Sequence, residues 1–124
     1  MNYLEINGTQ YPINFGIGFL KTINRQKQTQ VANMDGVKKN IGLLYSAASI
    51  MDGDVEELIN VILLGNQTEQ PRLERKTLET YIDDPETDID GLFDTVIDFL
   101  SNANACKRVI RELKEQVNKQ TAER

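Results

Sequence analysis

Residues 37–66 read VKKNIGLLYSAASIMDGDVEELINVILLGN, and the fold turns on how they are read. Val37, Ile41, Leu44, Ala48 and Met51 recur at spacings of 4, 3, 4 and 3, which lays one apolar stripe along a helix. Leu43, Ala47 and Ile50 widen that stripe, so this helix is expected to be buried on more than one side. Asp52-Gly53-Asp54 breaks the pattern. Asp54 suits the cap of a second helix, with Glu56 and Glu57 in a first turn where negative charge complements the macrodipole. Val55, Leu58, Ile59, Val61, Ile62, Leu63 and Leu64 make the second helix apolar nearly all round. It is expected at the centre of the core, ended by Gly65-Asn66.

Working outward toward the N-terminus, Tyr3-Leu4-Glu5-Ile6 and Gln10-Tyr11-Pro12-Ile13 flank Asn7-Gly8. Asn-Gly favours a type I′ turn, which needs positive φ at both central residues, so a β-hairpin is predicted. Pro12 has no N–H to give a ladder, which makes its strand short or an edge. Asn14 suits the cap of a helix that begins near Phe15-Gly16-Ile17-Gly18 and carries Phe19, Leu20 and Ile23. Residues 24–34, rich in Asn and Gln, read as a polar loop or a frayed end, and Asp35-Gly36 as a turn.

Toward the C-terminus, Pro71 suits the first turn of a helix reaching about Asp84, with Leu73, Leu78, Tyr81 and Ile82 inward. Asp84-Pro85 breaks it. Asp88 or Asp90 starts another helix bearing Leu92, Phe93, Val96, Ile97, Phe99 and Leu100, which Ser101 to Asn104 interrupts. A last helix near 105–119 shows Cys106, Ile110, Leu113 and Val117 on a narrow stripe. Its other faces alternate in charge, with Glu115 four residues before Lys119. Gln120 to Arg124 should fray. The expected architecture is a mainly α single helical domain with a short N-terminal β-hairpin. The hairpin spans about 3–13, the helices about 15–119, and a frayed C-terminal tail follows.

Composition narrows the chemistry. The 124 residues include no histidine and one cysteine, Cys106. A histidine general base, Ser-His or Cys-His nucleophile pairs and the common zinc sites all need residues that are missing. One cysteine rules out an internal disulfide framework and fits a reducing cytoplasm. Met1 to Ile6 carries Glu5 and no basic apolar signal pattern, so secretion is not expected. The longest apolar run, Val61 to Leu64, falls far short of the ~20 residues of a membrane span. A formal net charge of −5 argues against sequence-independent nucleic-acid binding. The charge is uneven: residues 77–106 hold eight acidic residues and no Lys or Arg, whereas 107–124 hold six basic and three acidic ones. Such polarity suits a solvated helix surface, or one that steers a partner or a second copy.

Candidate sites reduce to few. Glu86-Thr87-Asp88-Ile89-Asp90-Gly91 offers oxygens spaced like a calcium loop, but position twelve falls on Ile97, where a bidentate Glu belongs. Gly16-Ile17-Gly18 follows a hairpin and meets Lys21 where a dinucleotide fingerprint needs its third glycine. No cofactor and no metal is expected. The sequons at Asn7 and Asn66 mean little without secretion. Asp83 and Asp84 sit where paired acids serve as helix-end residues. The best binding signal is the last stripe, Cys106, Ile110, Leu113 and Val117. It spans only about two heptads, so it must pack either on the chain's own core or on a partner or neighbouring copy. A Leu113→Asp change separates the two: lost binding with an intact fold marks an interface, and a lost fold marks core.

Several segments in order carry a resemblance. The Asn7-Gly8 hairpin leads into Phe15-Gly16-Ile17-Gly18-Phe19-Leu20; Gly36-Val37 opens a helix with Gly42-Leu43 and Tyr45; Met51-Asp52-Gly53-Asp54 follows. Asp88-Ile89-Asp90 precedes Leu92-Phe93, and a charged helix closes the chain. This order resembles the tail assembly chaperones of long-tailed bacteriophages that infect Gram-positive bacteria. The resemblance implies a non-enzymatic protein of the infected host's cytoplasm, absent from the mature virion. It would bind and solubilise the tape measure protein and help recruit tail tube subunits, with possible self-association. The family often adds a longer product by frameshifting. Other readings are a small helical regulatory adaptor binding one globular partner, a structural tail protein, or a carboxylate-dependent enzyme.

Overall fold

Asn7 at φ 54° and Gly8 at φ 82° make the left-handed pair that a type I′ turn requires. They join β1 (Asn2–Ile6) to β2 (Thr9–Ile13) in a two-stranded antiparallel sheet, with Leu4 opposite Tyr11 and Tyr3 opposite Pro12. Alternation puts Leu4 and Ile6 of β1 into the core and leaves Tyr3 and Glu5 outside. The computed structural model describes residues 2–28 and 41–122, without the side chains of 27, 28 and 119–122. Val37, the Asp35-Gly36 turn, the loop reading of 29–34, the Lys119 end of the Glu115 pair and the fraying of 123–124 lie outside the described residues.

Among the described residues six helices follow: α1 (Ile17–Gln28), α2 (Ile41–Met51), α3 (Val55–Asn66), α4 (Arg75–Asp83), α5 (Ile89–Asn102) and α6 (Lys107–Ala122). The protein is mainly α with an N-terminal hairpin, as its periodicities predict. The α2–α3 break is built as expected. Gly53 takes φ 89°, and the Asp54 carboxylate accepts the Glu57 N–H at 3.1 Å. Asp88 caps α5 by accepting the Gly91 N–H at 2.9 Å. Both caps satisfy N–H groups that a helix start leaves without intrahelical partners.

α3 packs against α1, α2, α4, α5 and β2, with Leu58, Val61 and Ile62 shut off from solvent. One buried cluster runs from Leu4 to Leu113 and draws on both strands and all six helices' surroundings. Beside it runs a chain of polar contacts. The Asn60 amide donates to Gln26 Oε1 and to Glu57 Oε1, and Ser46 Oγ donates to the same Glu57 oxygen at 2.7 Å. These bonds tie α1, α3 and α2 together.

The structure corrects four local expectations. First, α1 begins at Ile17, inside the expected start, but Asn14 stands three residues before it rather than at its cap, and the Asn14 N–H donates to the Gly65 carbonyl at 2.7 Å. Second, α1 continues through Asn24 to Gln28 instead of fraying there. Its amides have long-range work: Asn24 Oδ1 accepts the Leu43 N–H at 2.9 Å. Third, α3 ends at Asn66, where Gly65-Asn66 predicts, but without a left-handed glycine cap: Gly65 lies inside the helix, and Gln67 closes it in right-handed conformation. A Cβ on Gly65 would sit 2.6 Å from Phe15 Cε1 and 2.9 Å from Ile13 Cγ2, so this glycine makes room for the hairpin's exit. Fourth, Pro71 precedes α4 by several residues, because the chain first loops through Leu73 under the control of Asn66.

Asn66 is the polar counterpart of the core. It is fully buried, donates to the Pro12 carbonyl at 3.0 Å and the Pro71 carbonyl at 3.1 Å, and accepts the Leu73 N–H at 2.6 Å. One amide thus joins β2, the end of α3 and the approach to α4. Its burial also makes the Asn66 sequon inaccessible in the folded chain.

Candidate partner-binding groove

The face that α2 turns inward differs from the one its longest stripe suggests. Gly42, Leu43, Ser46, Ala47 and Ile50 are buried. Ile41, Leu44 and Met51 are only half-buried, and Ala48 is exposed. Two stripes share the same 4-3 spacing, and close approach to α1 decides between them. A Cβ on Gly42 would run into the Ile23 carbonyl oxygen and the Asn24 backbone, so α2 meets α1 through its glycine. The other apolar stripe is left facing outward.

That outward stripe meets α6. Tyr45, Ala48, Ser49, Met51 and Asp52 form one wall of an open groove of about 460 Å³, and Leu113 and Val117 form the other. Tyr45 is 50% exposed and Val117 45%, two of the five large apolar residues that the described chain leaves in solvent. Asp52 and Ser49 put polar groups beside this apolar surface. An apolar floor with a polar border is the form that takes the apolar face of another helix.

The last-helix stripe divides along its length. Cys106 and Ile110 are fully buried, Leu113 is 8% exposed, and Val117 lies in the groove. The Cys106 thiol faces the Phe15 carbonyl at 3.7 Å, tying the start of α6 to the hairpin's exit. Burial pushes the Cys106 pKa up to about 12, so the sulfur is a protonated thiol rather than a nucleophile at neutral pH. Leu113 serves both surfaces, closing the core from within and flooring the groove from without. Sequence reasoning found the α6 wall and missed Tyr45 and Ala48 as its opposite. The available signal was a helix with two apolar stripes, only one of which a single core face can cover.

Among the described residues no group of three or more Cys, Asp or Glu side chains is placed to hold a metal. No described helix is long and apolar enough to cross a membrane. The acidic residues around the former calcium-loop candidate serve locally: Asp88 caps α5, and Asp84 accepts the Glu86 N–H at 2.9 Å.

A hairpin followed by packed helices, with an open apolar groove, has the form of a small module that works by contact with other proteins. The chain belongs to the phage tail assembly chaperones: residues 3–115 match the family described as phage tail assembly chaperone protein, TAC. That span includes the hairpin, α1 to α5, Cys106 and the part of α6 that carries Ile110 and Leu113 into the core. No curated protein and no solved structure matches the chain.

Proposed function

We propose that this protein is a non-enzymatic chaperone that binds and solubilises the tape measure protein through the α2–α6 groove. It holds that protein ready for tail tube subunits in the cytoplasm of the infected host and leaves before the virion is complete. The observation that carries the reading is the groove itself, with Tyr45 and Val117 half in solvent, on a chain of the tail assembly chaperone family. A long, largely helical client with apolar stripes aggregates unless those stripes are covered. Covering the exposed parts of Tyr45 and Val117 contributes about 1 kcal/mol each. One copy therefore binds weakly, and many copies along one client hold it through effective concentration.

Of the four stripe residues, Val117 and Leu113 contact the client. Cys106 and Ile110 act by holding α6 in place. The chain works as one folding domain, supported by a core cluster that runs from the hairpin to α6.

Co-expression with the tape measure protein from the same genome, followed by light scattering of the soluble fraction, tests the proposal. Soluble complexes with many copies of this chain per client are expected. An insoluble client with this chain eluting alone refutes it. A fixed stoichiometry of one or two copies on a globular partner favours the regulatory adaptor.

A further inference from the structure

The hairpin has two outer edges, and the fold treats them differently. Across a two-residue turn Ile6 and Thr9 exchange both main-chain hydrogen bonds, and alternation makes Leu4 and Tyr11 the next such pair. Tyr3 with Pro12, and Glu5 with Gln10, are then the pairs that make no mutual bonds. Their main-chain groups point away from the partner strand. On the β2 edge Pro12 has no N–H to offer, and its carbonyl accepts the Asn66 amide at 3.0 Å. On the β1 edge the N–H and C=O groups of Tyr3 and Glu5 have no hydrogen-bond partner among the described residues.

A cleft of about 340 Å³ runs along the β1 edge. Tyr3, Leu4, Glu5 and Ile6 all line it, and these consecutive residues face alternately out and in. The cleft therefore follows the side of the strand rather than either face of the sheet. Its far wall includes Tyr81 of α4, the α5 cap Asp88 and Thr95 of α5. Glu5 and Asp88 are its charged lining groups, both exposed carboxylates. The far wall also belongs to residues 77–106, which hold eight acidic residues and no Lys or Arg.

We propose that this cleft receives an extended, lysine- or arginine-bearing segment of a partner protein, which adds to β1 as a third strand. The outward main-chain groups of Tyr3 and Glu5 hold its backbone, and Glu5 and Asp88 select its cations. A second copy's hairpin does not meet these terms. Its strands, NYLEI and TQYPI, contain no Lys or Arg and would bring another Glu5. The cleft shares no lining residue with the α2–α6 groove, and the proposal stands whether or not that groove binds a tape measure protein.

The test is NMR titration of the purified full chain with a capped synthetic peptide that alternates lysine and valine, KVKVKV. Alternation lets one strand face carry the lysines beside Glu5. One short strand binds weakly, so the peptide is taken to about 1 mM. The Tyr3 and Glu5 amide signals should shift, and their hydrogen exchange should slow by roughly tenfold. The same peptide N-methylated throughout keeps its charge but cannot donate to a strand edge, and it should not bind. A glutamate counterpart, EVEVEV, should not bind either. Glu5→Lys should weaken binding of the lysine peptide by roughly tenfold, with unchanged circular dichroism.

Tyr3 and Glu5 amides that stay unmoved by the lysine peptide overturn the proposal. Equal binding of the N-methylated peptide also overturns it, since charge attraction alone would then suffice. That comparison uses the unaltered chain, so it decides the matter even where Glu5→Lys perturbs the hairpin.

Discussion

Replacing Asn66 by alanine tests whether one buried amide organises three segments. The substitution removes two donated bonds, to Pro12 and Pro71, and one accepted bond, from Leu73. Three backbone groups lose their partner. The Pro12 and Leu73 contacts are fully buried, and the Pro71 contact is partly buried. A buried polar group left without a partner costs about 1–3 kcal/mol, so the change should cost about 3–5 kcal/mol. That is a large share of the 5–15 kcal/mol typical of a domain. Urea unfolding followed by far-UV circular dichroism reads the loss directly. Asn66→Asp is the sharper control: it keeps an acceptor for Leu73 but turns a carboxylate toward two carbonyl oxygens, and it should be no better than alanine. A loss below about 1 kcal/mol for Asn66→Ala would refute the argument, since the three segments would then be held by apolar packing alone.

Gly42→Ala should destabilise by about 2–3 kcal/mol despite alanine's better helix propensity, because the new Cβ meets α1 backbone that no rotamer change can move; thermal melting checks it. Val117→Asp should abolish client binding in the co-expression assay and leave the melting temperature nearly unchanged. Leu113→Asp, at 8% exposure, should instead unfold the chain. Cys106 should resist thiol reagents in the folded protein and react once urea unfolds it. Its folded pKa is raised to about 12 from 9.0, so the folded state holds its proton longer. Stability should therefore fall as pH rises from 9 toward 12, by up to about 1.4 kcal/mol per pH unit more than in Cys106→Ala, measured by urea titration.

Helix positions were largely legible in the sequence, and their faces less so. Asp54 and Asp88 announced helix starts that the structure keeps, because a cap is a local transaction between a side chain and the next turn. Asn7-Gly8 announced the hairpin for the same reason. The errors came where a distant segment decides. Gly65-Asn66 reads as a helix stop and α3 does end at Asn66, yet not through a glycine cap: the glycine yields space to Phe15 and the asparagine reaches Pro12, both some fifty residues away. Asn24 and Gln26 read as loop, but α2 and α3 use their amides. In α2 the two stripes are equivalent by spacing, and only the approach of α1 to Gly42 breaks the tie. The α6 wall of the groove could be read from periodicity. Its α2 wall could not, since that depends on which stripe loses the contest for the core.

The sheathing of Cys106 bears on what happens when copies crowd together. Molecules gathered side by side bring their thiols to high local concentration, where an accessible sulfur would oxidise to a bond between neighbours and make a passing association permanent. Here the only sulfhydryl is closed inside each subunit beneath Phe15. Copies can meet and separate again without leaving a covalent trace.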